Sequence, residues 1–259
     1  MAMVQVSFVL PYIKKFDHIL DVGCGPGTIT IGFTKYASEG RIVGIDISKE
    51  ILQKAKALAA AAELPTQGPG SVIFEESDVL QRLPYANSTF DIVYCSQLFG
   101  HLPPPNLPLK ALVELRRVLK PDGILATRDG VAQHFYPQSL GLDRLWVQNL
   151  SRALHKGAPP ADLTGTIMPA LFRRAGFDAD SGKVRCRAGS VVYADPEARK
   201  WLAWRGIGQL QPGDPFRQSW IDAGITEEEI EQTLAAVKKW AETEDAWYAS
   251  LQCEMLAWK

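Results

Sequence analysis

The run Ile19-Leu20-Asp21-Val22-Gly23-Cys24-Gly25-Pro26-Gly27-Thr28-Ile29-Thr30 constrains this chain more than any other stretch. An apolar segment ends in an acid, glycines follow at every second position, and a helix-compatible segment then begins. A parallel strand that turns sharply into a helix while its backbone touches a ligand has this form. Each glycine removes a Cβ that would block the approach or the needed backbone angle. A nucleotide-type ligand lies on such a turn, and the chain reads as a cofactor-dependent enzyme.

The segments that follow repeat the theme. A first strand is expected at 17–21 and a helix at 28–38. Further strands are expected at 41–46, 72–75, 90–95 and 124–128. Ser48 can cap a helix in which Ile51, Ala55, Leu58 and Ala62 recur at helical spacing. Another helix carries Leu109, Leu112, Leu115 and Leu119. Pro103-Pro104-Pro105 reads as a stiff loop before it, and Pro121-Asp122-Gly123 as a turn after it. The strand at 90–95 is apolar enough to be buried on both faces. Such alternation predicts a parallel, doubly wound sheet. Beyond about residue 130 the pattern changes. Residues 140–156 look helical, 169–176 form a short helix stopped by Gly176, 184–193 offer late strands, and the remainder is mostly helix. Thr226 and Glu229 form a capping box for a helix starting near 227. All seven tryptophans lie after position 145.

The 29 acidic and 28 basic residues nearly cancel, so no charge excess argues for nucleic acid and no polybasic block for a membrane surface. No apolar run reaches the ~18 residues of a transmembrane helix. The four cysteines (Cys24, Cys95, Cys186, Cys253) are far apart in sequence. They fit reduced thiols in a cytoplasmic protein better than a disulfide framework or a zinc site, and no metal is expected. Cys24 and Cys95 read as small apolar fillers. No signal peptide is visible, and Met1-Ala2-Met3 is compatible with a cloning remnant.

A glycine turn alone is weak evidence, because related turns bind nicotinamide or flavin dinucleotides. Asp46 ends the second strand, where a carboxylate can accept from both hydroxyls of a ribose; that role is shared with NAD enzymes. Asp21 and Asp78 discriminate. The first can meet an ammonium group, and the second, with Val79, can accept from an adenine amine. One residue rather than two precedes Gly27, which is wrong for a dinucleotide. Here the chain resembles the class I S-adenosylmethionine (SAM)-dependent methyltransferases. The likeness rests on Asp21 to Thr28, Gly44-Ile-Asp-Ile-Ser48, Glu76-Ser-Asp-Val79, Phe90 to Leu102 and Arg117 to Gly123. More narrowly, it looks like the small-molecule methyltransferases of the ubiquinone and menaquinone biosynthesis type. Only 18 residues precede Ile19, fewer than such relatives usually carry before their first strand, so the expectation is that either the lid over the pocket comes from elsewhere or the start is truncated.

The resemblance implies an α/β fold: a Rossmann-like, doubly wound, mostly parallel seven-stranded sheet in the order 3-2-1-4-5-7-6, with a helical C-terminal cap. It implies a single domain over 1–259, with a SAM-binding core at about 7–130 and substrate-covering helices and last strands at about 131–259. Asp21, Gly23, Gly25 and Gly27, with Cys24 and Thr28 in the same loop, would hold the methionine part of SAM. Asp46 and Ile47 would hold the ribose and one adenine face, Asp78 and the Val79 amide the adenine edge, and Cys95, Ser96 and Gln97 a shelf under the sulfonium. The expected product cofactor is S-adenosylhomocysteine.

Methyl transfer from a sulfonium mainly needs alignment and exclusion of water, with a base only if the nucleophile must lose a proton. His101, after the fourth strand on the carboxyl-end side, is the candidate catalytic residue; its alternative is to order the proline-rich loop. Gln97 could orient the acceptor or the SAM carboxylate. Asp129, His134 and Tyr136 form a second tier. The expected acceptor is a small, largely apolar metabolite, at carbon, sulfur, oxygen or nitrogen, with the tryptophans either walling its pocket or filling a helical core. A monomer or homodimer without nucleic-acid or membrane partners is expected. The competing readings are a non-catalytic SAM-binding protein and, from another class, a nicotinamide-dependent oxidoreductase.

Overall fold

The structure is a computed structural model that describes residues 6–102, 106–154 and 164–259. The Pro103–Pro105 loop, the start of the chain at 1–5 and residues 155–156 of the expected helix at 140–156 lie outside the described residues. Strands are β1 (His18–Val22), β2 (Arg41–Asp46), β3 (Ser71–Glu76), β4 (Phe90–Ser96), β5 (Leu119–Tyr136), β6 (Val184–Tyr193) and β7 (Trp247–Trp258). Helices are α1 (Thr28–Gly32), α2 (Lys49–Ala61), α3 (Asn106–Val118), α4 (Asn149–Leu154), α5 (Thr164–Arg174), α6 (Pro196–Gln209), α7 (Pro215–Asp222) and α8 (Glu227–Glu242).

The strands form one seven-stranded sheet in the order β3-β2-β1-β4-β5-β7-β6, as the sequence led us to expect. The pairs β1–β2, β1–β4, β2–β3 and β4–β5 are all parallel. The register aligns their carboxyl ends: Val22 lies beside Ile45 and Cys95, Asp46 beside Glu76, and Ser96 beside Arg128. Strand order reverses between β1 and β4. The loops after these two strands therefore leave the sheet in opposite directions and open a crevice at that edge.

The chain divides into two compact units. The first holds the residues up to Asp129 together with Ile167–Gly189 and Cys253–Lys259; the second holds Gly130–Thr166 and Ser190–Gln252. In the first, Ile19, Ile42, Val72, Ile92, Tyr94 and Leu256 meet Phe8, Phe33 and Leu52 in one apolar core. In the second, Trp220 and Trp240 are wholly buried and Trp146 packs against Trp220, so these tryptophans fill a helical core. Trp204 is 73% exposed.

Several elements differ in extent from expectation. The helix expected at 28–38 is only five residues of α-helix before a 3-10 turn, consistent with the β-branched run Thr28-Ile-Thr-Ile31 and Gly32. Residues 140–156 break at Gly141 (φ +69°) into a π-helical turn (Asp143–Gln148) and then α4. The helix expected at 169–176 begins five residues earlier and carries Pro169 inside it. The turn at Pro121–Gly123 is real, but it is an excursion within β5: the register jumps from Phe90–Leu119 to Ile92–Ile124, with Asp122 at φ +60°. After α6–α8 the chain ends in β7, a strand that the sequence pattern left unplaced.

The lead-in to β4 is fixed by one half-buried cluster. Arg117 on α3 donates to both oxygens of Glu114 (2.9 and 2.6 Å) and to the carbonyls of Tyr85 (2.8 Å) and Leu83 (3.2 Å). Glu114 in turn accepts from the Leu83 amide at 2.7 Å. Burial alone would raise the Glu114 carboxyl, but the guanidinium and that amide hold it below the usual carboxylate range. Replacing Arg117 by methionine strands a carboxylate and two carbonyls. The variant is expected to lose about 2–4 kcal/mol of stability in urea unfolding, against well under 1 kcal/mol for an ordinary exposed ion pair.

Candidate functional site

The glycine turn leaves β1 at the sheet's reversal point. The amides of Gly23 and Cys24 both donate to the Ile45 carbonyl of β2, at 2.8 and 3.0 Å, which folds the loop over the end of that strand. Gly23, Gly25 and Gly27 all have positive φ (+69°, +53° and +78°). A Cβ on Gly27 would sit 2.7 Å from the Phe74 ring, so this glycine serves packing. At Gly25 a Cβ would meet no atom within 4 Å. Open space over a left-handed backbone is what a bound molecule would use.

Two carboxylates flank the turn. Asp46 accepts from the Gly25 amide through Oδ2 and from the Ser48 amide through Oδ1, both at 3.0 Å. A carboxylate offers about four acceptor positions, so the half-buried Asp46 retains capacity for two hydroxyls. Asp21 is 3% exposed and accepts from the Thr30 hydroxyl at 2.6 Å. Burial pushes its carboxyl up to about 7; the Thr30 bond opposes this and the nearby Asp46 charge adds to it. A buried acid with one hydroxyl partner and no cation among the described residues fits an ammonium group well.

Most of the remaining expected residues follow the carboxyl ends of β1 to β4. Ile47 is 71% exposed, an apolar side chain held out beside Asp46. Asp78 is exposed, and its Oδ1 accepts from Leu80 N at 2.8 Å as a turn cap; Val79 is buried. Thr28 is exposed at the start of α1. Cys24 and Cys95 are buried, and burial drives both thiols far above their usual range, in keeping with a packing role. Ser96 closes β4. Gln97 follows with φ +56°, its amide donating to the Arg128 carbonyl at 2.8 Å. A glutamine in that backbone region marks a loop shaped by its surroundings. His101 is exposed, at the end of the 3-10 turn Phe99–His101. These site residues, with Asp129, belong to the first unit. His134 and Tyr136 belong to the second, where His134 Nδ1 lies 3.0 Å from Asp143 and Tyr136 stacks on Trp247.

Two features escaped the sequence reading. Thr30 is the partner of Asp21; its only signal was a hydroxyl on the first turn of the helix that follows the acid. Asp91, at the start of β4, anchors the opposite end of the sheet, accepting from the His18 amide and from Lys120. The second feature is the role of Asp129 as a latch. Its Oδ1 accepts from the Phe99 amide at 2.9 Å, and the Gly100 amide also points at it. The turn bearing His101 is thereby tied to the middle of β5, one residue beyond its last pairing with β4. Its Oδ2 is buried without a hydrogen-bond partner among the described residues.

Burial pushes the Asp129 carboxyl up to about 7, against the pull of the Phe99 and Gly100 amides and the Arg128 charge. The folded protein thus keeps this proton to a higher pH than the unfolded chain, where an aspartate titrates near ~3.9. The stabilisation is complete below that value and is lost as pH rises through about 7. Asp129→Asn keeps an acceptor for Phe99 N and cannot ionise. Urea unfolding at pH 5 and pH 8 should show wild-type stability falling with pH, and a clearly smaller fall in the variant.

Comparison with known proteins points to one family. The methyltransferase domain family matches residues 19–123. The chain is 64% identical over 256 residues to a probable methyltransferase, ltbC, of Aspergillus luteorubrus, covering 98% of this chain and 90% of that protein. It is 36% identical over 200 residues to an uncharacterized methyltransferase, C1B3.06c, of Schizosaccharomyces pombe, covering 76% and 69%. Among solved structures, the YcgJ protein of Bacillus subtilis superposes with a TM-score of 0.61 at 16% identity, over 98% of this chain and 97% of that one, a likeness of fold.

Proposed function

The chain belongs to the class I SAM-dependent methyltransferases, and we propose that it transfers the methyl group of SAM to a small, largely apolar metabolite. Its cofactor is SAM. The observation that carries the site assignment is Asp21, a buried acid with no cationic partner among the described residues, next to a glycine turn whose middle residue faces open space. Bound SAM supplies a methyl group already activated by its positive sulfur.

In this reading the residues divide the work of holding. Asp21, with the backbone of Gly23 to Gly27 and the first residue of α1, Thr28, takes the ammonium end. Asp46 takes the two ribose hydroxyls with the lone pairs left by Gly25 and Ser48. Ile47 covers one adenine face, while Asp78 Oδ2 and the Val79 amide read its edge. Ser96 and Gln97, with the backbone of Cys95, floor the reacting centre. Asp129 positions the 99–101 turn, and His101 removes a proton from an acceptor that has one to lose. The near balance of acidic and basic residues supports a small molecule over a nucleic acid as the acceptor's class. Incubation of the protein with isotopically labelled SAM and a small-molecule extract, followed by mass spectrometry, identifies what gains a methyl. Binding of SAM with no labelled product in any extract would favour a non-catalytic binding protein instead.

Three substitutions test the site by calorimetry. Asp46→Ala removes acceptors for the ribose and for the Gly25 amide together, and should weaken SAM binding by about 1–3 kcal/mol. Gly25→Val places a branched side chain at φ +53° in the open space and should abolish binding while the circular dichroism spectrum stays folded. The third concerns pH. SAM's ammonium pairs with ionised Asp21, whose proton in the free protein is held up to about 7. Affinity should therefore fall by up to about tenfold per pH unit below about 7, with proton release on binding. In Asp21→Asn that dependence should vanish along with much of the affinity.

A further inference from the structure

Cys186 and Cys253 stand 67 residues apart in sequence, yet their Sγ atoms lie 3.6 Å from each other. The cause is the sheet order, which places β6 beside β7. Both residues sit in the first unit, and both thiols are free. Neither Cys24 nor Cys95, buried elsewhere in that unit, has a sulfur partner among the described residues. A disulfide bond is ~2.05 Å long, so closure needs roughly 1.5 Å of sulfur movement, within reach of side-chain rotation. The two positions are unequal. Cys186 is exposed on the edge strand, whereas Cys253 is 6% exposed. Burial, and Cys186 beside it, push the Cys253 thiol up to about 12. An oxidant in solution therefore meets Cys186 first, and Cys253 is placed to resolve what forms there.

We propose that Cys186 and Cys253 are a redox-active dithiol that closes to an intramolecular disulfide between β6 and β7 on exchange with a small disulfide such as oxidised glutathione. The Cys186 thiolate attacks one sulfur of oxidised glutathione, forming a mixed disulfide and releasing one glutathione thiolate. The Cys253 thiol then attacks the Cys186 sulfur. The second glutathione leaves as thiolate and takes up the proton from Cys253. The protein loses two electrons and two thiols, and one glutathione disulfide becomes two glutathiones.

Neither cysteine is among the residues assigned to SAM, and the readout is thiol chemistry, so the test does not depend on the methyl-transfer reading. The full-length protein is equilibrated with graded ratios of oxidised to reduced glutathione, quenched in acid, and alkylated in denaturant for intact-mass and peptide analysis. Wild type is expected to fall from four alkylatable thiols to two without retaining glutathione. A single cross-linked peptide pair should contain Cys186 and Cys253, and dithiothreitol should reverse it. Cys253→Ser should stop at one glutathione adduct on Cys186, and Cys186→Ser should keep its three thiols. Four alkylatable thiols at every ratio, a stable glutathione adduct on wild type, or cross-links between chains would each overturn the proposal.

Discussion

The hydrogen bond from the Gly25 amide to Asp46 joins the first two strands' loops, and the site depends on it. Three left-handed glycines would otherwise leave the 23–27 segment with many backbone states. The Asp46 carboxylate fixes its centre, and the Ile45 carbonyl fixes its start through Gly23 and Cys24. The same carboxylate caps the approach to α2 through the Ser48 amide. One side chain thus sets the position of the turn, the start of the following helix and the acceptors offered to a ribose.

Around that point the sheet edge is built from carboxylates of different character. Asp21 and Asp129 are buried and hold their protons to about 7. Asp46 is half-buried and Asp78 is exposed. The two buried acids have distinct surroundings. Asp21 has a hydroxyl partner and, among the described residues, no ion-pair partner, so a ligand cation would complete it. Asp129 already accepts from backbone amides and acts on the loop that carries His101. Methyl transfer asks chiefly for alignment, and a loop tied to the end of β4 and the middle of β5 gives alignment without a general-base dyad of its own.

Much of this was legible in the residues. Strands β1 to β4 are short apolar runs ending in acids or small polar residues, the pattern of a parallel sheet covered on both faces, and their boundaries were found within a residue or so. Strand β7 was not legible. Its buried residues include Ser250, Gln252 and Glu254, so the apolar alternation that marks a strand is masked by polar side chains. Strand β5 was read too short because Pro121-Asp122-Gly123 punctuates it, and because the polar stretch beyond Arg128 gives no apolar run to follow.

The sequence by itself determined the local chemistry: the glycine turn, the acids at the strand ends, the capping box at Thr226 and the order in which strands and helices alternate. These depend on neighbours within a few positions, where backbone angles and side-chain reach are decided. Only the tertiary structure decided which distant groups meet. Arg128 and Glu254, 126 residues apart, form a buried ion pair, Asp129 reaches back to Phe99, and Cys186 finds Cys253. Such pairs follow from strand order and register, which set neighbours ~5 Å apart regardless of separation along the chain and leave no periodic trace in the sequence.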